Sequence, residues 1–459
     1  MDFTKFGHAV TRVAAEAADA ADVLAPIRDR FVVPPGLYLD GNSLGALPDG
    51  VAAAVSGAVT EAWGRDLIAS WNSNGWWTLP GRVGNRIGLL IGAGPGQVMC
   101  GDSTSVQLFQ ALVGLARANP GRGVVAVDAG DFPTDRYLTD SVGRLLGLTV
   151  ERVDPNRFVP DDRTAVVAFS AVNFATGELR DLSGITDAVH AAGGLICWDL
   201  AHAAGALPVD LDGIRADAAV GCTYKYLCGG PGSPAYLYVA ERHHDALDLP
   251  LAGWHGHAEP FAMAEHYRPA PGIERARIGT PPVLSMVATD AALAVWDGVD
   301  LGDVRAKSLA LTDLAIAFVD TRMVSYGVEV VTPRPHHRRG SQLSLRVANA
   351  HELSRALVAR GVTGDYRTPD ILRLGMAPLY LRYVDVWDAM DILAGVLAEK
   401  AHLHPAMAPG DDTVTGDCPG RPSELRVAPG PRLGGLDLSG EANQHVLPSR
   451  PGDELHADG

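Results

Sequence analysis

Four compact apolar segments in the middle of the chain constrain its fold more than any other feature. They cover residues 123–133, 164–174, 195–205 and 218–228, and each passes from a mostly apolar run into polar residues. The stretch at 182–194, between the second and third segments, has a helical pattern. Because the strands of a parallel sheet are buried on both faces and alternate with covering helices, this order predicts an α/β fold built on a mostly parallel sheet.

Before these segments the chain divides into an N-terminal segment and the start of a large domain. Residues 1–48 form the predicted segment, with an amphipathic helix at 9–30 and a short strand followed by a turn cluster at 37–48. A helix at 49–63 is predicted to open the large domain, which we expect to cover residues 49–300.

After residue 300 the pattern indicates a second, smaller α/β domain over 301–404. It contains a predicted helix at 301–325, a strand pair at 327–347 and helices at 350–360 and 383–402. The remaining residues, 405–459, are rich in Gly and Pro and have little apolar periodicity, which is typical of a disordered acidic tail.

Composition excludes several classes of partner. The net charge of −16 disfavours nucleic acid and anionic membranes. No apolar run approaches the roughly 20 residues of a membrane helix, and the N-terminus lacks the pattern of a signal peptide. The five cysteines have no CxxC or zinc spacing, which favours reduced thiols in the cytoplasm.

A glycine-rich stretch, LLIGAGPGQV, invites comparison with a dinucleotide-binding motif. Its glycines do not follow the G-x-G-x-x-G spacing, and Pro95 stands where the helix should begin. We therefore predict a plain turn there and no nicotinamide or flavin site.

Polar residues at the ends of the predicted strands are the candidate site residues, because ligands of open α/β sheets bind at the carboxyl ends of the strands. GDSTSVQLFQAL places Ser103, Thr104 and Ser105 at the start of an apolar helix. Hydroxyl and free N–H groups there can hold a phosphate, and an ordinary N-cap is the alternative. DFPTDRY brings Phe132 and Asp135 to the next strand end.

The later strand ends supply a carboxylate, an imidazole and an amine. ICWDLAHAAG contains Asp199 and His202, and TYKYLCGGPG contains Tyr224 and Lys225. A buried carboxylate needs a cationic or protonated partner, since an unpaired buried charge is costly. A helix cap, a core histidine and a solvated lysine are the alternative interpretations.

Together these side chains match the needs of pyridoxal phosphate. A helix start holds the phosphate, an aromatic ring stacks on the pyridine, a carboxylate pairs with the ring nitrogen and a lysine bonds to the aldehyde. The sequence has no metal-spaced histidine pair and no G-x-S-x-G elbow, so zinc and serine hydrolases fit less well. We expect this cofactor and no metal.

Motifs along most of the chain resemble those of the kynureninase family. They are YLDGNSLGALP, SWNSNGWW, GDSTSVQLFQAL, DFPTDRY, NFATGEL, WDLAHAAGALPVDL, GCTYKYLCGGPGSPAYLYV and LRLGMAPLYLRY, in order from about residue 30 to 400. The resemblance implies fold type I of the pyridoxal-phosphate enzymes, in the class V aminotransferase group, with a mostly parallel seven-stranded sheet covered by helices.

The resemblance also implies roles for individual residues. Lys225 carries the cofactor and moves the Cα proton, and Tyr224 gives a proton to the carbanion left by C–C cleavage. Arg373 clamps the substrate α-carboxylate through a bidentate pair. The implied cofactor contacts come from Ser103, Thr104, Phe132, Asp135, Asp199, His202, Tyr224, Lys225, Trp254 and Thr280. The implied substrate contacts come from Asn42, Ser43, Trp71, Gly279 and Arg373.

The implied reaction is hydrolysis of the Cβ–Cγ bond of L-kynurenine to anthranilate and L-alanine. A 3-hydroxy or otherwise ring-substituted kynurenine is an alternative substrate; Trp71 and Gly279–Thr280 resemble enzymes that favour the unsubstituted ring. The resemblance further implies a cytoplasmic homodimer of tryptophan catabolism (the kynurenine pathway, towards NAD biosynthesis), in which Trp254 and Thr280 reach the site of the second subunit.

Two other functions remain as alternatives. Another class V lyase or an aminotransferase is possible, but a cysteine desulfurase needs a nucleophilic cysteine in the smaller domain and there is none between 229 and 417. A catalytically inactive binding protein of the same fold is the second alternative. The presence of Asp199, Tyr224, Lys225 and Arg373 argues against it.

Overall fold

The computed structural model describes residues 10–33 and 35–407. Its helices are α1 (Arg12–Ala20), α2 (Gly50–Gly57), α3 (Ser70–Ser73), α4 (Leu79–Ile91), α5 (Thr104–Ala118), α6 (Pro133–Leu146), α7 (Leu182–Ala191), α8 (Val283–Ala292), α9 (Leu301–Arg322), α10 (Ala350–Val358) and α11 (Tyr383–Ala398). From residue 408 on, the predicted acidic tail lies outside the described residues.

The strands are short and mostly buried. They are β1 (Phe31–Val32), β2 (Leu37–Tyr38), β3 (Leu47–Pro48), β4 (Val98–Cys100), β5 (Val124–Asp128), β6 (Thr149–Val153), β7 (Thr164–Ser170), β8 (Leu195–Asp199), β9 (Ala218–Gly221), β10 (Tyr236–Val239), β11 (Glu329–Val330), β12 (Gln342–Arg346), β13 (Val362–Thr363), β14 (Asp365–Arg367) and β15 (Ile371–Gly375). All four apolar segments that opened the analysis contain one of these strands, namely β5, β7, β8 and β9.

A seven-stranded sheet in the order β4-β10-β9-β8-β7-β5-β6 forms the centre of the molecule. Neighbours from β6 to β9 run parallel, whereas β10 is antiparallel to both β9 and β4. The predicted mostly parallel, seven-stranded α/β sheet is therefore confirmed.

Successive residues of the central strands face opposite sides of this sheet, and both sides are covered. On β7 and β8, Ala168 and Cys197 pack with helix α5, while Phe169 and Trp198 pack into the larger core on the other face. Burial on two faces explains why these segments are continuously apolar and show no alternation.

A second sheet has the order β11-β12-β15-β14 and is antiparallel throughout. It is formed within residues 329–375 and the first sheet within residues 98–239, so each falls inside one predicted domain. The domain boundaries themselves stay a prediction. The early strand β2 pairs in parallel with β13, and Asp40 forms a bridge with Gly375, which joins the N-terminal segment to this second sheet.

The predicted helix at 9–30 is wrong in its extent. Helix α1 ends at Ala20, and a separate 3₁₀ turn covers Ala25–Arg30. Between them the Asp22 carboxylate accepts a hydrogen bond from the Leu24 N–H (3.0 Å), and Pro26 begins the second turn. Both residues favour starting a helical turn over continuing one. In the glycine-rich stretch, Gly92 caps helix α4 in the left-handed conformation (φ 64°), as expected of a turn.

The described residues carry neither a membrane-spanning helix nor a metal-binding cluster. Within 10–33 and 35–407, no helix is long and apolar enough to cross a bilayer. In the same ranges no three His, Cys, Asp or Glu side chains are grouped so that they could hold a metal ion. Cys100, Cys197, Cys222 and Cys228 are buried, free thiols.

Candidate active site

A cavity of about 260 Å³ opens at the carboxyl ends of strands β5, β7, β8 and β9. This is the edge of the sheet at which the sequence places its candidate residues. The cavity is lined by ten of the predicted residues: Asn42, Ser43, Thr104, Phe132, Asp135, Asp199, His202, Tyr224, Lys225 and Arg373. The structure therefore brings together side chains that are far apart in the chain.

Lys225 follows strand β9 and lies against the imidazole of His202. Its Nζ is 3.0 Å from His202 Nε2 and 5.9 Å from the centre of the Tyr224 ring. Burial, followed by the charge of Lys225, lowers the pKa of His202 well below its usual value. The ring is therefore neutral and accepts the lysine hydrogen bond at Nε2, which places its proton on Nδ1. Among the described residues Nδ1 has no partner.

Two buried carboxyl groups, Asp135 and Asp199, lie close together beside Lys225. Burial, then the charge of Asp199, raises the pKa of Asp135 well above its usual value, so Asp135 keeps a proton. Burial also raises the pKa of Asp199, but the charge of Lys225 and the Ala201 N–H (2.6 Å) oppose that effect. Asp199 is thus the member of the pair that ionises, and it faces a cation.

The three hydroxyl residues at the start of helix α5, Ser103, Thr104 and Ser105, have different positions. Ser103 is the N-cap, and its Oγ accepts a hydrogen bond from the Val106 N–H (3.4 Å). Thr104 and Ser105 line the cavity, and Ser103 does not. The first N–H groups of a helix have no partner inside the helix, so this end can bind an anion.

Phe132 is held where its ring faces the cavity. Its N–H donates to Asp131 Oδ1 (2.9 Å), and Asp131 in turn accepts bonds from the N–H (3.0 Å) and the hydroxyl (2.5 Å) of Ser170 at the end of β7. The Phe132 ring meets Phe174 edge to face, at 5.2 Å between ring centres. These contacts leave one face of a fixed aromatic ring available to a flat ligand.

Arg373, on β15, has most of its hydrogen-bonding capacity occupied by the protein. Nε donates to Asp365 Oδ1 (2.8 Å), Nη1 to the Phe174 carbonyl (2.7 Å), and Nη2 to Ser43 Oγ (3.0 Å) and to Asp365 Oδ2. The edge formed by Nε and Nη2 is therefore taken by Asp365. Of its five N–H donors, the contacts within the described residues leave one Nη1 hydrogen for a carboxylate entering the cavity.

Four other predicted residues lie outside the cavity and surround His255. The His255 ring stacks on Trp254 (5.0 Å) and meets Trp71 edge-on (6.4 Å). Its Nδ1 is bonded to the Gly279 carbonyl (3.0 Å), and Thr280 follows directly. We call Trp71, Trp77, Trp254, His255 and Phe261 the aromatic cluster, since their rings are in mutual contact.

Several residues of the cavity are not among those predicted. Thr134 and Ser170 lie at strand ends that the sequence analysis already considered, so their position was available as a signal. Phe174, Ala201 and Arg367 also line the cavity. Arg367 and its partner Asp365 belong to a short antiparallel strand, and their sequence carries no motif that points to the site.

Comparisons with known proteins show clear relatives over most of the chain. The family model described as Kynureninase C-terminal domain matches residues 304–393. A kynureninase of Burkholderia pseudomallei is 47% identical over 408 residues, which cover 87% of this chain and 98% of the relative. One from Deinococcus radiodurans is 49% identical over 393 residues, covering 84% and 96%.

Solved structures with the same fold have much lower sequence identity. A cysteine desulfurase from Escherichia coli gives a TM-score of 0.70 at 20% identity, covering 82% of this chain and 98% of that one. A C-DES mutant, described with glycine covalently linked to its PLP cofactor, gives 0.70 at 15% identity, covering 81% and 99%. At such identities the likeness shows the fold alone, and it agrees with the predicted fold type I.

Proposed function

The chain belongs to the kynureninase family, and from that premise we propose how its own residues carry out the reaction. The enzyme hydrolyses the Cβ–Cγ bond of L-kynurenine to anthranilate and L-alanine and depends on pyridoxal phosphate. The observation that carries the assignment of residues is the cavity in which Lys225 touches His202 next to the Asp135–Asp199 pair. Another lyase, an aminotransferase or an inactive protein is not favoured.

Unpaired polar atoms inside the cavity test whether the cofactor fits. His202 Nδ1 and Asp135 Oδ2 are buried and have no partner within the described residues. Such atoms cost free energy unless a ligand or water satisfies them. With the amine of Lys225 and the open start of helix α5, they give the cavity the donors and acceptors that a phosphorylated pyridine aldehyde needs. The residues present therefore fit the cofactor.

We assign the parts of the cofactor to side chains as follows. Lys225 bonds to the aldehyde, Asp199 pairs with the ring nitrogen with His202 beside it, and Phe132 covers the ring. The start of helix α5 would hold the phosphate, with contacts from Thr104 and Tyr224, while Ser103 caps that helix and Asp135 supports Asp199. When bound, the cofactor supplies a cationic ring that draws electrons from the bonds broken in the substrate.

Proton transfers belong to Lys225 and Tyr224. Lys225 Nζ removes the Cα proton, and the neutral His202 next to it can accept hydrogen bonds without adding charge. The neighbouring Cys222 sulfur and burial raise the pKa of the Tyr224 phenol, so its Oη keeps a proton at neutral pH. Tyr224 can therefore give that proton to Cβ after the C–C bond breaks.

The substrate carboxylate is assigned to Arg373. The contacts to Asp365, Ser43 and Phe174 leave one Nη1 hydrogen of its guanidinium for an anion. Ser43 already bonds to this group, and Asn42, which lines the cavity, has no partner for either amide atom among the described residues. We propose that Asn42 and Ser43 complete the contacts to the amino acid portion of the substrate.

A first prediction concerns turnover and ring preference. The purified protein should release anthranilate, followed by its fluorescence, and an equal amount of alanine from L-kynurenine. We expect kcat/KM for the 3-hydroxy substrate to be lower by about 10-fold, the scale on which a pocket discriminates one small substituent. Higher kcat/KM for the 3-hydroxy form would contradict the ring preference, and no product from either would contradict the activity.

We also propose that two copies share their sites through the aromatic cluster. Trp254 is 43% exposed and Phe261 70% exposed, an apolar surface of the kind that another protein covers. In that arrangement Trp254 and Thr280 reach the cofactor of the second copy, and Trp71 and Gly279 its substrate ring.

Complementation tests the shared site. Lys225→Ala and Trp254→Ala variants should each have low activity, while their co-expression should restore about a quarter of wild-type activity, because half of randomly assembled dimers contain one intact site. The control is the same two variants purified separately and assayed without exchange of subunits between them. Absence of recovery in confirmed mixed dimers would show that Trp254 acts within its own chain.

Cytoplasmic location is a further proposal. Its support is that the described cysteines are buried free thiols, as in reducing compartments. Fractionation of the native cells tests it, and recovery of the protein with secreted material would contradict it.

A further inference from the structure

Asp365 occupies a place in the site that its sequence did not indicate. It lies on β14 directly opposite Arg373 in the antiparallel pairing of β14 with β15. Its carboxylate accepts the Nε and Nη2 hydrogens of Arg373 and the hydroxyl of Ser43 (2.9 Å), and it forms an ion pair with Nη2 of Arg367 (2.7 Å). One carboxylate thus anchors two guanidinium groups and a hydroxyl.

The geometry of Arg373 leaves little freedom to move. An arginine has five N–H donors, and the contacts to Asp365, Ser43 and Phe174 occupy four of them. Arg373 and Asp365 are both almost fully buried, at 1% and 3% exposure. Without the Asp365 carboxylate, the Nε and Nη2 edge of Arg373 would lose its acceptor, and the guanidinium could rotate away from its present orientation.

The charges around Asp365 favour an anion in the cavity. Burial, then the charge of Asp365, raises the pKa of the nearby Asp40 to about 7, so Asp40 is only partly ionised near neutrality. The guanidinium groups of Arg373 and Arg367, which both line the cavity, then share the Asp365 carboxylate as their ion-pair partner within the described residues. The group is left with a net positive charge.

We propose that Asp365 is a positioning residue, which holds Arg373 and Arg367 so that both face the carboxylate of the substrate. This rests on the proposed function, since Arg373 is assigned to that carboxylate. A purely structural role would require only that Asp365 neutralise a buried arginine, and any carboxylate near that place would suffice. A positioning role also requires a side chain with the length of aspartate at this place in the β14–β15 pair.

The test compares Asp365→Asn with a matched pair elsewhere in the chain. Asp313 is a buried carboxylate bonded to the buried Arg339, and neither lines the cavity. Asp365→Asn should weaken binding of L-alanine, measured by calorimetry on the holoenzyme, by about 30-fold or more, as expected when one partner of a buried hydrogen-bonded charge pair is removed. Asp313→Asn should leave alanine affinity within about threefold of wild type.

A second probe separates positioning from a general loss of structure. Hydroxylamine reacts with the bound cofactor but has no carboxylate, so its reaction rate should be the same in Asp365→Asn and wild type. A fold-loss in the hydroxylamine reaction rate as large as the fold-loss in alanine affinity would overturn the proposal, as would alanine affinity within about threefold of wild type.

Asp365→Glu keeps the charge and guards against a variant that fails to fold. We expect its alanine affinity to fall by about 10-fold or more, because the longer side chain displaces the guanidinium groups. Wild-type alanine affinity in Asp365→Glu would mean that charge alone suffices, and positioning would be refuted. Turnover of L-kynurenine by the wild-type enzyme, measured in the same experiment, shows separately whether the proposed function is correct.

Discussion

Lys225→Ala should reduce kcat for L-kynurenine by at least about 10³-fold, the largest effect that we expect from one substitution. The variant loses both the amine that bonds to the cofactor and the group that removes the Cα proton. The His202 Nε2 atom, now 3.0 Å from Lys225 Nζ, would also lose its donor. Steady-state anthranilate release measures the effect.

Covalent attachment gives an independent measure of the same residue. Borohydride treatment of the wild-type holoenzyme should fix the cofactor to the peptide that contains Lys225, and mass spectrometry should find no such peptide in Lys225→Ala. Lys400→Ala, at an exposed position outside the cavity, is the control and should keep wild-type activity. A Lys225→Ala enzyme with substantial turnover would remove Lys225 from the mechanism.

Asp199→Asn should lower kcat by about 10²–10³-fold, the usual effect of removing one preorganised electrostatic contact. Asparagine can still accept the Ala201 N–H, so the local shape is kept. What is lost is the negative charge that faces Lys225 and is assigned to the ring nitrogen. Kinetics with saturating cofactor separate this effect from weaker cofactor binding.

Asp131→Asn is the matched control for Asp199→Asn. Asp131 is also a buried carboxyl that accepts a backbone N–H, here that of Ser170 (3.0 Å), but it does not line the cavity. Asparagine can keep the contacts that Asp131 Oδ1 accepts from the Phe132 N–H and the Ser170 hydroxyl, so we expect kcat to stay within about 10-fold of wild type. Equal losses in the two variants would indicate that any change at this edge of the sheet disturbs the site, and that the charge of Asp199 has no special role.

Most of the large sheet could be predicted because its signals are local. Each of the four apolar segments contains a strand, β5, β7, β8 or β9, and the helix predicted at 182–194 is α7. Burial on both faces demands apolar side chains at every position, and such runs are visible without knowledge of their neighbours. Helix ends were less accessible, as the break after Ala20 shows.

The candidate site was predictable to the extent that its residues follow strands of that sheet. Parallel strands end at one edge, so Phe132, Asp199 and Lys225 had to meet once the sheet was recognised. The role of Ser103 was ambiguous in the sequence, since a helix cap and a phosphate contact both require a hydroxyl. The structure shows it as the N-cap, with Thr104 and Ser105 facing the cavity.

The sequence by itself determined the parallel sheet, the edge at which its polar residues gather and the set of side chains that suits the cofactor. All of these depend on short segments whose composition reflects their burial. Only the tertiary structure decided that Asp365 takes one edge of Arg373 and that Ser43, 322 positions before Asp365, closes the same group. Those contacts depend on the register of β14 with β15 and on the bridge from Asp40 to Gly375. Both are set by hydrogen bonds between segments that are far apart in the chain, so the local composition of each segment does not encode them.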